Sequence, residues 1–150
     1  MNTFIIYKGI KQRLAVVAPG FYYLGQYLKG KDNTSYIVPA IYIEMPKFLP
    51  TDFQPGKVKI AKGAQVKIHL VTNAPYKNHE NVVQDNAIQE HQDKLNDIDK
   101  LMTGWVLKND QQKLLTQQFI PIGANVGNFE GVKIYSVLTY TTEFLSYHLR

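Results

Sequence analysis

The clearest alternation of apolar and polar positions lies in residues 86–103, NAIQEHQDKLNDIDKLMT, where Ile88, His91, Leu95, Ile98, Leu101 and Met102 recur at steps of three and four. That spacing predicts an amphipathic helix of about five turns with one apolar stripe. Gln89, Glu90, Gln92, Asp93, Lys94, Asn96, Asp97, Asp99 and Lys100 fill the polar face, and Glu90 stands four residues before Lys94, the favourable order for an ion pair on a helix. Asp85 or Asn86 can cap its start, and Gly104 suits the left-handed residue that ends a helix. A second helical repeat, Ile6, Ile10 and Leu14 every fourth residue, opens the chain with Asn2 or Thr3 as cap and Lys8, Lys11 and Arg13 turned outward; it stops at Pro19-Gly20.

Between the two helices the pattern has a period of two. Residues 21–28, FYYLGQYL, are aromatic and extended in character, and residues 36–45 alternate Ile37, Pro39, Ile41 and Ile43 with Val38, Ala40, Tyr42 and Glu44. A proline there fits a strand's beginning or an edge. Residues 46–56 hold three prolines and are expected to run as a long surface excursion. Residues 57–61 and 65–70 each alternate, with Lys62-Gly63 between them, which is compatible with either a hairpin or one bulged strand; in both cases Val66, Ile68 and Leu70 face the core and Gln65, Lys67 and His69 do not. Residues 73–85 read as a polar loop. After the central helix come two predicted strands, residues 114–122 and 132–145, joined by a loop GANVGNFEG at residues 123–131. The last strand places Val132, Ile134, Ser136, Leu138 and Tyr140 on one face and Lys133, Tyr135, Val137, Thr139 and Thr141 on the other. Both faces are half apolar, so the one without helices is a candidate subunit interface. The predicted architecture is a single α+β domain over residues 1–150: two layers, an antiparallel sheet with both helices on one face.

Length and composition agree with one domain able to bury its own core: 150 residues, 45% hydrophobic and 19% charged. With no cysteine the chain has no disulfide, no thiolate metal site and no cysteine nucleophile. The N-terminal run is too short in apolar residues and too quickly charged for a signal peptide or membrane span, which predicts a cytoplasmic protein with no membrane partner. The net charge of +5 is uneven: residues 1–72 carry nine Lys and one Arg against Asp32, Glu44 and Asp52, whereas residues 73–110 carry four Lys against seven acids. A basic half can face nucleic acid or an acidic protein, but a single arginine is a poor set for base reading or bidentate phosphate contact, and lysines that keep sheet edges from sticking explain it more simply.

No catalytic constellation is visible. The four histidines, His69, His79, His91 and His148, form no HExxH or Cys/His cluster, so no metal is expected; Gly56 and Gly63 make no phosphate-binding GxxxxGK[ST] motif and no cofactor is expected; the acids Glu90, Asp93, Asp97 and Asp99 lie on a solvated helix face. No enzymatic residue is nominated.

The order of an IYKGIKQRL helix, an aromatic strand, PAIYIE at residues 39–44, QVKIHL at residues 65–70, a helix ending LMTGW at residues 101–105, and VKIY at residues 132–135 running into YTTEF at residues 140–144 resembles a family of small proteins in tailed phages and prophages of Bacteroidetes. The layout is similar to tail terminator and tail-completion proteins and spans nearly the whole chain. The resemblance implies a virion protein of the tail and neck that assembles as a homo-oligomeric ring of about six subunits. Such a ring caps the tail tube protein and joins it to a neck or connector protein of the head, and DNA passes through its lumen without sequence readout. On that reading Tyr42, Phe48, Phe53, Tyr135 and Tyr140 are the expected contact residues. The rival readings are another head-tail connector or stopper of the neck, and a basic-face nucleic-acid-binding module.

Overall fold

A computed structural model describes residues 3–18, 20–23, 38–47, 49, 51–53, 58–74, 76–77, 82–83 and 85–147. The elements run α1 (Thr3–Leu14), β1 (Gly20–Tyr23), β2 (Ala40–Glu44), β3 (Thr51–Phe53), β4 (Val58–Asn73), β5 (Tyr76–Lys77), β6 (Val82–Val83), α2 (Asp85–Met102), β7 (Ile120–Glu130) and β8 (Lys133–Tyr147). The main sheet has the order β1-β2-β4-β8-β7, with β3 also pairing β4, and β5 and β6 form a separate short ladder. Both helices contribute to one core with the inward face of this sheet, so the fold is two-layer α+β.

The sheet departs from the predicted all-antiparallel pairing in one place, since β1 and β2 are parallel, Phe21 opposite Ile41. Strand β2 begins directly after Pro39, where the missing N–H costs no ladder bond. The second half of the aromatic run, residues 24–28, lies outside the described residues. The excursion at residues 46–56 contains a short strand, β3, laid against Lys59, Ile60 and Ala61, and the loop at residues 73–85 contains the two-residue ladder of β5 and β6.

Residues 58–70 form one bulged strand and not a hairpin. The register against β8 slips between Ala61 and Ala64. Two residues are inserted against one on the partner, so the inward parity changes: Ala61 is buried before the bulge, and Ala64, Val66, Ile68 and Leu70 are buried after it. The apolar positions of the two runs are in phase in sequence, but the bulge turns Ile60, opposite Leu145, to the other face, so the first run gives the core only Ala61.

The helix at Asp85–Met102 buries Ala87, His91, Leu95, Ile98 and Met102. Ile88, expected on the stripe, is 44% exposed, and Leu101 is only partly buried. Gly104 adopts φ +77°, the left-handed conformation that favours glycine at a helix end, and its N–H donates to the Phe119 carbonyl at 2.8 Å. This contact turns the chain under the helix, where Trp105 stacks on Phe119 at 5.5 Å between ring centroids.

Helix α1 packs beside α2 through Ile6, Ile10 and Leu14, which join Leu95, Ile98 and Met102 over Ile41, Ile43, Val66, Ile68, Tyr140 and Phe144. Two cations tie the helices. Arg13 Nε donates to the Leu101 carbonyl at 3.0 Å and its guanidinium lies 5.2 Å from the Trp105 ring centroid, while Lys94 Nζ donates to the Val17 carbonyl at 2.9 Å. Arg13, at the end of α1, meets Leu101, and Val17, in the turn after α1, meets Lys94, so the chain leaving α1 runs back along α2. On the far side of the sheet Ala40, Tyr42 and Val71 make a smaller apolar cluster with Val38 and Tyr135.

Of residues 123–131, expected as a loop, 123–130 are strand. Ile120–Glu130 forms an edge strand against β8, with register slips between Pro121 and Gly123 and between Asn125 and Asn128. The glycines that suggested a loop serve these slips: Gly127 has φ +70°, a conformation that costs an L side chain roughly 1–2 kcal/mol. Conversely, the strand expected from residue 114 starts only at Ile120. Before it, residues 108 and 114 and residues 116 and 144 make isolated bridges.

Candidate assembly surface

The expected contact residues divide between inside and outside. Tyr140 lies on the inward face of β8 and is fully buried; its hydroxyl donates to Asp99 Oδ1 at 2.8 Å, and Thr103 Oγ1 donates to the same oxygen at 3.0 Å. Burial first, then the Asp99 carboxylate, pushes the Tyr140 phenol well above its ordinary value, so it remains a donor. Tyr42 is 1% exposed, held on the opposite face beside Val71 and Ala40. Neither tyrosine presents surface to a partner, because strands β2 and β8 are interior to the sheet and each ring is covered by its own chain. Tyr135 is half-buried on the face without helices. Phe48 and the side chain of Phe53 lie outside the described residues, as do His79 and His148.

The face of β4 and β8 turned away from the helices carries Lys67, His69, Tyr135, Val137, Thr139 and Thr141, all partly buried. At its β2 side Glu44 lies 3.8 Å from Lys67 Nζ and 4.0 Å from His69 Nε2. Burial lowers the His69 pKa below its ordinary value; Glu44 pulls it up and Lys67 adds to the lowering.

Exposed apolar side chains concentrate elsewhere. Ile120, Ile122, Val126, Phe129 and Val132 are each about half exposed along β7 and the turn after it. A long apolar edge strand is ordinarily blunted by charge; β7 instead carries Pro121, which offers no N–H, and two register slips. These interrupt a continuous ladder with another strand but leave the side chains available. Helix α2 covers β4 and β8 and leaves a cleft of about 370 Å³ against β7, with Gln92, Asn96 and Asp99 on the helix side and Pro121, Ala124 and Val126 on the strand side.

Helix α1 shows a second exposed apolar set. Phe4 and Ile5 are 52% and 49% exposed, Phe4 stacks on Tyr7, and Lys8 Nζ sits 5.7 Å from the Phe4 ring centroid. Lys8 and Lys11 continue this outer stripe. Gly9 lies so close to Leu107 that an added Cβ would come within 2.6 Å of it, which is how residues 105–108 pack against the inner flank of α1.

The one densely polar spot in the described core is built on His91. Its Nδ1 lies 2.7 Å from Thr72 Oγ1 and its Nε2 2.7 Å from Ser136 Oγ, while Ser136 Oγ also accepts the Gly127 N–H at 2.9 Å. Thr72 and Ser136 are inward positions of β4 and β8, and the slip at Gly127 aims its amide at Ser136. Burial pushes the His91 pKa down to about 4, so the ring is neutral at pH 7 and can donate through one nitrogen and accept through the other. Although a serine and a histidine meet here, Ser136 is 1% and His91 3% exposed and no carboxylate orients the ring. The arrangement lacks the access and the third group of a nucleophilic triad. It fastens helix to sheet. Among the described residues no group of three or more His, Asp or Glu could hold a metal ion, and no helix is long and apolar enough to cross a membrane.

Sequence reasoning missed β7 as a surface. The signal was present in Ile120, Ile122, Val126 and Phe129, but Gly123 and Gly127 made that stretch resemble a turn. It also placed His91 on the apolar stripe without its two hydroxyl partners, which come from residues 19 and 45 positions away.

No family model and no curated protein matches the chain. Among solved structures its fold is shared by a chain from the virion of a native gene transfer agent particle: the alignment covers 93% of this chain and 93% of that one at a TM-score of 0.51 and 10% sequence identity, a likeness of fold.

Proposed function

We propose that this chain is a structural protein of a tailed-phage-type virion, and within that class a tail terminator: a homo-oligomeric ring of about six copies that caps the tail tube and joins it to the neck of the head. The observation that carries the reading is the fold shared over 93% of both chains with a component of a gene transfer agent virion. Two features support an assembling role. A β7 edge with four half-exposed apolar side chains, and Val132 in the turn after it, is more surface than a solitary small domain usually leaves open. The basic outer stripe of α1 and the acidic outer face of α2 supply opposite charges on one subunit, as a head-to-tail contact needs.

In this reading the tail tube protein and a neck connector are the partners, and DNA passes through the lumen without base contacts. The half-buried Tyr135 face remains a candidate contact, whereas Tyr42 and Tyr140 are assigned to the core. The test is native mass spectrometry and negative-stain microscopy of the purified chain, alone and with polymerised cognate tube protein. Rings at tube ends support the terminator. Rings that bind only the head-side connector select a neck stopper instead, and a strict monomer that ignores both partners removes the virion reading.

A further inference from the structure

We infer that the cleft between α2 and β7 receives the outer stripe of α1 from a second copy of the chain, Phe4 and Ile5 entering beside Val126 and Lys8 and Lys11 approaching the acids of α2. The inference rests on the ring reading and specifies the contact that would build the ring.

Three observations lead to it. First, the two surfaces lie on opposite flanks of α2. At about 100° per residue, Lys94 and Leu101, which meet α1, are on one side of the helix, while Gln92, Asn96 and Asp99, which line the cleft, are on the other. A chain cannot fold its own α1 into its own cleft, but a neighbour's α1 can reach it, and the same operation repeats around a closed ring.

Second, the surfaces match in charge. The stripe of α1 carries Lys8 and Lys11 and no acid of its own, and the wall it shares a groove with, residues 107–111, adds Lys108 and one acid, Asp110. The cleft side of α2 carries the exposed Asp99 and no base, its outer top carries Asp93 beside Lys100, and β7 contributes no base, its single charge being Glu130. Third, they match in polarity. Phe4 and Ile5 are half exposed on one side, and Val126 on the strand and Ile88 along the same helix flank are half exposed on the other. Pro121 and the two slips in β7 disfavour a strand as occupant, which leaves a helix laid against side chains.

The absence of native cysteine makes the contact directly testable. Single variants Phe4→Cys and Val126→Cys would be mixed and treated with a short bismaleimide. The expected product is a covalent dimer formed by the mixture and not by either variant alone, with Thr141→Cys, on the opposite sheet face, giving none when paired with Phe4→Cys. The double variant F4C/V126C should give a covalent ladder ending at the ring number. Phe4→Asp, and separately K8E/K11E, should weaken self-association at least tenfold while leaving the far-UV circular dichroism unchanged, because these side chains are exposed.

If the unmodified protein forms rings but no mixed cross-link appears and Phe4→Asp assembles as before, this contact is wrong and the ring reading stands. If Phe4→Asp spares the ring and abolishes tube capping, the stripe faces the tube protein and the inference is overturned. If the unmodified protein forms no ring, alone or on a tube, yet the mixed cross-link forms, the contact holds without the terminator role. Neither ring nor cross-link removes both.

Discussion

His91 on α2 and Ser136 on β8, 45 residues apart in sequence, are joined by a contact of 2.7 Å between Nε2 and Oγ, and the same serine oxygen accepts the amide of Gly127 on β7. One imidazole thus links the helix layer to three strands, with Thr72 on β4 completing the set at 2.7 Å. Only the neutral ring fits: the site is buried, no carboxylate among the described residues contacts it, and the ring's pKa is lowered from 6.5 to about 4.

That shift predicts acid sensitivity with a definite sign. A histidine whose folded pKa is depressed contributes stability that is fully present above the unfolded pKa of 6.5 and is lost as pH falls toward about 4. The shift corresponds to about 3 kcal/mol over that window. Urea unfolding at pH 7.5, 6, 5 and 4.5 should show this decline, and His91→Gln, which can bond both hydroxyls but does not titrate, should flatten it. His91→Leu should cost about 2–4 kcal/mol at pH 7.5 by removing the ring partner of two buried hydroxyls, of which Ser136 keeps only the Gly127 N–H. An equally steep decline in His91→Gln would assign the acid sensitivity to other groups.

The Asp99 carboxylate and the Tyr140 phenol are unequal partners. Asp99 is exposed and is rehydrated when the phenol is removed, so Tyr140→Phe should cost about 1 kcal/mol. Asp99→Ala strands a buried hydroxyl and also removes the acceptor of Thr103, and should cost about 2 kcal/mol. In the double variant the two losses should be less than additive. Thermal and urea denaturation of the three variants checks the order.

Arg13 holds the junction of the two helices by donating to the Leu101 carbonyl, near the negative end of α2, and by lying over Trp105. Because it is exposed, its charge contributes little. Arg13→Ala should lower stability by about 1 kcal/mol, and Arg13→Lys should recover less than half of that because an ammonium cannot stack and donate in the guanidinium's geometry. Quenching of the single tryptophan, Trp105, by acrylamide should rise in Arg13→Ala, and an unchanged quenching constant would count against the stacking role.

Two glycines four residues apart on β7 should respond oppositely. Gly127 has φ +70° and nothing within 4 Å of an added Cβ, so Gly127→Ala should cost about 1–2 kcal/mol purely through its backbone. Gly123 has equal space and no positive φ, so Gly123→Ala should be neutral or stabilise by up to about 1 kcal/mol. Melting temperatures of the two variants decide it. Equal effects would mean that the slip at residues 125–128 does not depend on Gly127.

Much of the layer structure was legible because periodicity reports which face of an element is buried. The stripe of α2, the repeat Ile6, Ile10 and Leu14, and the inward set Val66, Ile68 and Leu70 all reflect local geometry that any burial against a second layer would exploit. The misreadings share a cause. Ile88 fits the helical period but sits toward the flank that faces β7, where the sheet has an edge and offers no cover. Residues 123–131 carry turn-type glycines, yet the long β8 beside them offers a ladder, and pairing along it overrode the local preference. Tyr42 and Tyr140, expected as contact residues, are buried because β2 and β8 lie inside the sheet, a position that spacing along either strand does not reveal.

The sequence by itself determined the α+β class, the positions of the two main helices, the inward face of β4 and the lack of cysteine chemistry, since these follow from short-range spacing and composition. Tertiary structure alone decided the parallel pairing of β1 with β2, the single bulged strand in place of a hairpin, the His91 hub with Thr72 and Ser136, and the edge position of β7. Each of these depends on which distant segments become neighbours, and spacing along one segment carries no information about the partner that will lie beside it.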